Sequence, residues 1–411
     1  MGKPKESVPV SYEERRGEAF LSFKQKTEVF ASSFAESAYE AYEGADNFTV
    51  SPISVFMALS LAAECASGQT REELLSALGV SYEELRANFS TLYRSLEVEH
   101  KSGSKTTGVL NLTNSVWVND GTPVNQECID TLSDGYYAYS YGADFKDDNA
   151  AANQAVRRFV KEQTRGLIDK DFKLSEETFF ALINTLYLKT VWNTDGNDLP
   201  FTAQDYAFTA TDGTVINKKL LQGYYNGGRA YETQTYSSFY TRTHDGYRIK
   251  FLVPKEGYSV GDIFTKENLA EANAVTDYGH LDEANKTVYL TRCLFPAYKC
   301  KYDGDVKEVL QNKFGVSRFF KDPRLYSDGC EFETLSPEAC FCSAIKHVTD
   351  LTVNEKGIEG AAVTVVEMDG ASAGEPMKEV YADFVVDRAF AFLITDHQDV
   401  TLFSGVVNGV S

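Results

Sequence analysis

Residues 358 to 369 alternate with a period of two, and the chain then runs into a segment that cannot continue as a strand. Ile358, Gly360, Ala362, Thr364, Val366 and Met368 are apolar or small, and none is charged. Glu359, Glu367 and Asp369 fall on the other face, with Ala361, Val363 and Val365. Such alternation marks a strand with one buried face and one wet face. It leads into Asp369-Gly370-Ala371-Ser372-Ala373-Gly374-Glu375-Pro376, whose turn formers and small residues demand an exposed loop. The plain reading is an ordinary sheet strand followed by a loop. The sharper reading is a loop that carries a ready-made buried face and can move into a sheet. A charge on that face would oppose burial strongly, and there is none.

The 411 residues contain no linker rich in Pro, Gly or Ser, no low-complexity block and no internal repeat, so one large domain is expected. Hydrophobic residues make up 43% of the chain, enough for a sizeable core. A formal charge of −20 argues against nucleic acid and against an anionic membrane surface. No apolar run approaches the roughly 20 residues of a membrane span. The N-terminus, Met1-Gly-Lys-Pro-Lys-Glu-Ser, lacks the apolar centre of a signal peptide, which leaves open a secreted form that has lost its signal. Seven cysteines cannot all pair within one chain, and most are read as small core residues. Cys340-Phe-Cys342 would lie on one face of a strand, a poor geometry for a bridge and no zinc spacing. Five histidines show no ligand spacing, and no G-x-S-x-G, phosphate loop or dinucleotide fingerprint is present. No metal, cofactor or catalytic function is expected.

Residues 1–16 are polar and read as a disordered, frayed tail. Gly17 to Tyr42 carries Phe20, Phe23, Val29, Phe30, Phe34 and Ala38 at helical spacing. A short strand leads to Ser51-Pro52, an N-cap followed by Pro in the first turn, and then to a nearly all-apolar helix that must be buried. Thr70 and Glu73 suggest a capping box. Leu110–Asn119 and Phe179–Leu188 read as strands flanking a helix at Val156–Thr164. Residues 199–300 read mostly as strands, and Val306–Phe314 as a short helix. The chain ends in a hairpin whose first strand, Phe390–Thr395, is apolar on both faces and so belongs in the middle of a layered structure. Helices early and strands late give an α+β class.

Several scattered segments then resemble one family, the serpins. Asn354-Glu355-Lys356-Gly357-Ile358-Glu359-Gly360-Ala361-Ala362 is similar to the serpin hinge. Val386-Asp387-Arg388-Ala389-Phe390-Ala391-Phe392-Leu393-Ile394 resembles the strand that follows the reactive loop, with Ala389 where the family usually has Pro. Asn47-Phe-Thr-Val-Ser51-Pro-Ile-Ser54 resembles the N-x-x-x-S-P-x-S motif. Asn184-Thr-Leu-Tyr187-Leu-Lys189-Thr-Val-Trp192 resembles N-x-x-Y/F-F-K-x-x-W, and Phe403-Ser-Gly405-Val-Val-Asn408 the C-terminal F-x-G-x-V, without its last Pro. The matches run from about residue 20 to residue 408. The resemblance implies one domain over 17–411, with three β-sheets surrounded by helices and a reactive-centre loop at about 355–382. It also implies that Asn47, Ser51, Ser54, Asn184 and His347 gather under the main sheet and set how easily it opens. Trp192 and Glu355 would mark where insertion begins.

Insertion of the reactive loop is an established property of serpins and one of the standard examples of sheet augmentation. By that resemblance the chain is expected to trap a serine protease as a covalent acyl complex, acting as a monomer. Counting Glu355 as one places the cut after the seventeenth residue, at Ala371-Ser372. Ala371 suits an elastase-like or subtilisin-like protease. Cleavage after Met368 by a chymotrypsin-like protease is the competing register. Ile358 stands where inhibitory serpins usually have Thr or Ser, so insertion is expected to survive, though more slowly. A non-inhibitory carrier, chaperone or storage serpin is the other class. Extracellular action is expected, with the cytoplasm as the alternative.

Overall fold

The helix Pro52–Cys65 is buried along all 14 of its residues, so the rest of the chain must wrap it. The computed structural model of the chain describes residues 2–96, 98–102, 105–192, 198–342, 345–358 and 377–410. Its helices are α1 (Tyr12–Arg16), α2 (Glu18–Glu40), α3 (Pro52–Cys65), α4 (Gly68–Leu78), α5 (Tyr82–Leu96), α6 (Gln126–Gly135), α7 (Asn149–Gln163), α8 (Val260–Ile263), α9 (Lys266–Ala274) and α10 (Lys307–Phe314). The first strands are β1 (Phe48–Val50), β2 (Val98–Ser102), β3 (Lys105–Asn119), β4 (Ala138–Ala143), β5 (Phe180–Val191), β6 (Tyr206–Thr209) and β7 (Val215–Lys218). There follow β8 (Leu221–Gly227), β9 (Tyr231–Glu232), β10 (Tyr236–Arg242), β11 (Arg248–Pro254), β12 (Leu281–Asp282), β13 (Thr287–Phe295) and β14 (Tyr298–Asp305). The last are β15 (Lys346–Asn354), β16 (Gly357–Ile358), β17 (Lys378–Val385), β18 (Phe390–Thr395) and β19 (Thr401–Val407).

Three larger sheets and one two-stranded ribbon, β6–β7, form an α+β fold. The main sheet runs β14-β15-β16-β5-β3-β2, with β4 beside β3. β5 is buried at nine of its twelve residues, as a strand covered on both faces must be. Its Phe180 and Leu182 join the large core with α2 and α3, while Ala181 and Ile183 join a second core built on Trp117, Val156 and Phe159. Alternation along one strand thus glues α7 to one side of the sheet and the body of the protein to the other. Each large apolar side chain so buried contributes roughly 1.5–3 kcal/mol. A second sheet runs β1-β19-β18-β11-β10-β9, and β18 is buried at every residue in its interior, as its two apolar faces require.

Several local expectations are corrected. Residues 2–16 are not a frayed tail. Ser11 and Glu14 form a capping box on α1, the Ser133 hydroxyl donates to the Lys3 carbonyl at 2.7 Å, and Val10 is buried. The Arg94 guanidinium bonded to Glu14 holds its carboxyl down at about 2. Val29 lies on the wet side of α2, 65% exposed. Thr70 and Glu73 do not cap a helix, because α4 starts earlier, at Gly68. Glu73 instead accepts the backbone N–H groups of Ser317 and Arg318 at 3.0 and 2.8 Å. The helix expected at 156–164 begins at Asn149, capped by Asp148, and 199–300 also contains α8 and α9. Cys340-Phe-Cys342 is not a strand, although Cys342 makes an isolated bridge to Phe180.

Candidate functional site

The hinge residues Gly357 and Ile358 are already seated in the main sheet. Ile358 lies opposite Val353 of β15 on one side and Thr190 of β5 on the other, and Gly357 lies opposite Asn354 and Val191. Among the described residues β5 and β15 share no ladder of their own, and β16 pairs with both. At the far end Phe180 of β5 bridges Cys342 directly. The two strands thus hold the hinge between them above, and below it β5 meets the chain ahead of β15 at Cys342.

Each residue at the upper end has a defined role in holding this geometry. Glu355 and Lys356 turn the chain back on itself. The Trp192 indole N–H donates to the Asn354 carbonyl at 2.7 Å, and the Leu199 N–H donates to the Glu355 carbonyl at 2.7 Å. Trp192 is buried and packs edge-on against Phe295. Gly357 has φ +148°, and a Cβ there would collide with the Thr190 carbonyl. Only glycine combines that backbone conformation with that approach. Ile358 is wholly buried within the main core, so its size fits at the top of the sheet.

Gly357→Ala is therefore expected to unseat β16. The strain is about 1–3 kcal/mol, or roughly tenfold to hundredfold faster amide exchange at 190–191 and 357–358. Unchanged exchange at those amides would show that the glycine is dispensable.

The polar residues expected under the sheet are only partly brought together. The Ser51 N–H donates to His347 Nε2 at 3.0 Å, and the Ser51 hydroxyl to Ser54 Oγ at 3.1 Å. Ser51 begins α3 without capping it through its side chain. Burial pushes the His347 imidazole down to about 3, so the ring is neutral and accepts the bond. It lies edge-on to Phe34. Asn184 donates instead to Asn114 Oδ1 at 2.6 Å, and Asn114 to the Tyr136 carbonyl at 2.9 Å. The Asn184 Oδ1 and the Thr185 hydroxyl are buried without partners among the described residues. Asn47 stands apart, contrary to expectation. Its amide ties down the C-terminus, donating to the Gly409 carbonyl at 2.9 Å and accepting from the Asn408 N–H at 2.8 Å.

Asp245 was not legible as a site residue. It sits in the turn between β10 and β11 and accepts from Thr107 Oγ1 at 2.6 Å and Thr190 Oγ1 at 2.9 Å. One carboxylate thereby clamps β3 to β5 beside the seated hinge. Its Asp-Gly context signals only a turn. Glu359, Gly360, Ala361, Ala362, Thr364, Val366, Met368, Gly370, Ala371 and Ser372 lie outside the described residues. All seven cysteines are buried, as their reading as core residues expected.

The family model of serpins, serine protease inhibitors, matches residues 25–409. Human neuroserpin is 26% identical over 391 residues, covering 88% of this chain and 86% of that protein. Serpin-Z2A of Triticum aestivum is 28% identical over 383 residues, covering 89% and 90%. Among solved structures, the native state of the thermophilic serpin tengpin superposes with a TM-score of 0.75 at 21% identity, covering 100% of this chain and 97% of that one. Thyroxine-binding globulin in complex with thyroxine gives 0.74 at 18% identity, covering 94% and 99%. With the motifs in order, the hinge seated between β5 and β15, and a family match spanning nearly its whole length, the chain belongs to the serpin family.

Proposed function

We propose that this serpin is a suicide-substrate inhibitor of a serine protease with an elastase-like or subtilisin-like specificity. The observation that carries the reading is the seating of Gly357 and Ile358 between β5 and β15, with Ile358 buried and uncharged. Insertion needs a started strand, because fixing the first residues is the costly step, and each later one adds ladder bonds of about 0.5–1.5 kcal/mol. A protease attacks the loop at Ala371-Ser372, and its serine forms an ester with the Ala371 carbonyl as the Ser372 amine leaves. The freed residues from 359 onward then follow Ile358 into the sheet, drawing the protease with them before water can cleave the ester. The native form is held by a kinetic barrier rather than by lowest free energy. The proposed working form is a monomer acting outside the cell, where elastase-like and subtilisin-like proteases are found.

The test is to mix the protein with an elastase-type serine protease, run a denaturing gel and weigh the released peptide. A covalent complex with a fragment beginning at Ser372 is expected. Complete cleavage without complex would refute inhibition of this protease class, and a fragment beginning at Asp369 would move the cut to Met368.

A further inference from the structure

The pole of the molecule opposite the seated hinge carries an acidic cleft of about 940 Å³. Asp120, Asp144, Asp147, Glu176, Glu177 and Glu338 line it, against two cations, Lys146 and Arg324. Arg324 is already engaged, bonded through Nε and Nη2 to Asp322. None of the six carboxylates carries a salt bridge to a described residue, and five of them are exposed. Thr178 also lines the cleft; it is 2% exposed, and its hydroxyl is buried without a hydrogen-bond partner. This is a concentration of unneutralised charge with an unsatisfied polar group at its floor.

The register of the hinge points to what reaches it. β16 and β5 are antiparallel, with Ile358 opposite Thr190. Each residue added to the inserted strand therefore moves one residue back along β5. The count places Met368 opposite Phe180, where β5 begins, so complete insertion carries Gly370 and Ala371 past that end towards the Glu176–Glu177 turn that lines the cleft.

We infer that the acidic cleft is the docking surface for the translocated protease and that it favours a protease with a basic surface around its active site. This rests on the trapping reading above. Encounter takes place at the opposite pole, so the cleft acts after acylation. Opposed charges at such a surface hold what is already tethered and are screened by salt. The complex, not its rate of formation, should feel them.

The test compares the wild-type chain with Asp147→Asn/Glu176→Gln/Glu338→Gln, using a cationic elastase-type protease. Rates of covalent complex formation are expected to agree within about twofold. At low salt, escape of active protease from the variant complex should be about tenfold faster, and salt should erase the difference. Amide exchange at 119–122 and 144–147 should be slower in the wild-type complex than in the cleaved protein alone. Equal escape rates with equal exchange would overturn the docking and leave trapping intact. Failure of both chains to form a covalent complex would overturn the trapping reading, and the docking with it.

Discussion

Ile358→Arg is expected to turn the protein from a trap into a substrate, with the covalent complex falling by at least about a hundredfold while loop cleavage continues. Ile358 is wholly buried, flanked by Val353 and Thr190, and belongs to the main core. A guanidinium there would have to leave water without a partner. The cost of burying it unpaired is several kcal/mol, and every about 1.36 kcal/mol is a factor of ten in rate. In the proposed trap, insertion competes with hydrolysis of the acyl-enzyme, so a delay of that size hands the race to water. The proposed cut lies 13 residues away, and the substitution leaves it untouched. A gel in which Ile358→Arg still gives full covalent complex would show that β16 plays no part in trapping. Ile358→Thr is the complementary case. It keeps the β-branch and should retain complex formation, since that residue fits the same pleat.

Acidification is expected to weaken the closed sheet through His347. Its folded value, about 3, lies below the ordinary 6.5 because the ring is buried and uncharged. A lowered histidine contributes stability that is whole above the unfolded value. That stability is lost as pH falls below it, because the opened chain takes up a proton that the folded chain refuses. Between pH 6.5 and pH 5 this amounts to about 2 kcal/mol. Protonation would also force the ring to give up the Ser51 N–H. Glu28 runs the other way. Burial raises it to about 7, so its contribution is lost as pH rises through that value. It is present in both chains when wild type is compared with His347→Gln, and cancels. The expected result is a thermal midpoint that drops by about 2 °C more in the wild type than in His347→Gln between pH 7 and pH 5. Parallel curves would remove His347 as the acid-sensitive element.

Much of the frame was legible because it is written in local patterns. The two-sided apolarity of β18 placed it at the centre of its sheet, and the unbroken apolar run after Ser51-Pro52 required the buried α3. The Trp192 and Asn354–Glu355 segments matched the family and meet in space. What failed was long-range. Glu73 was free to serve Ser317 and Arg318, some 240 residues away, and so left its supposed cap. Asn47 belongs to a motif, but its bonds go to the C-terminus, whose position no neighbouring residue announces. Asp245 carried no signal beyond its turn, since a carboxylate that clamps two strands is defined by who stands opposite. The polar N-terminus looked unfit to pack, yet its backbone carbonyls found donors on Ser133 and Arg94.

The bridge between Phe180 and Cys342 gives the sheet the character of a seam that is unfastened at the collar and stitched at the hem. The first residues of the loop need break nothing to enter. In the proposed insertion the last ones must undo that stitch to bring Ala371 past Phe180. On that reading, the duration of the whole event is governed at a place the protease has not yet touched when it cuts. Substitutions around Phe180 and Cys342 should leave recognition of the loop unchanged and alter only how often the enzyme is caught before it gets away.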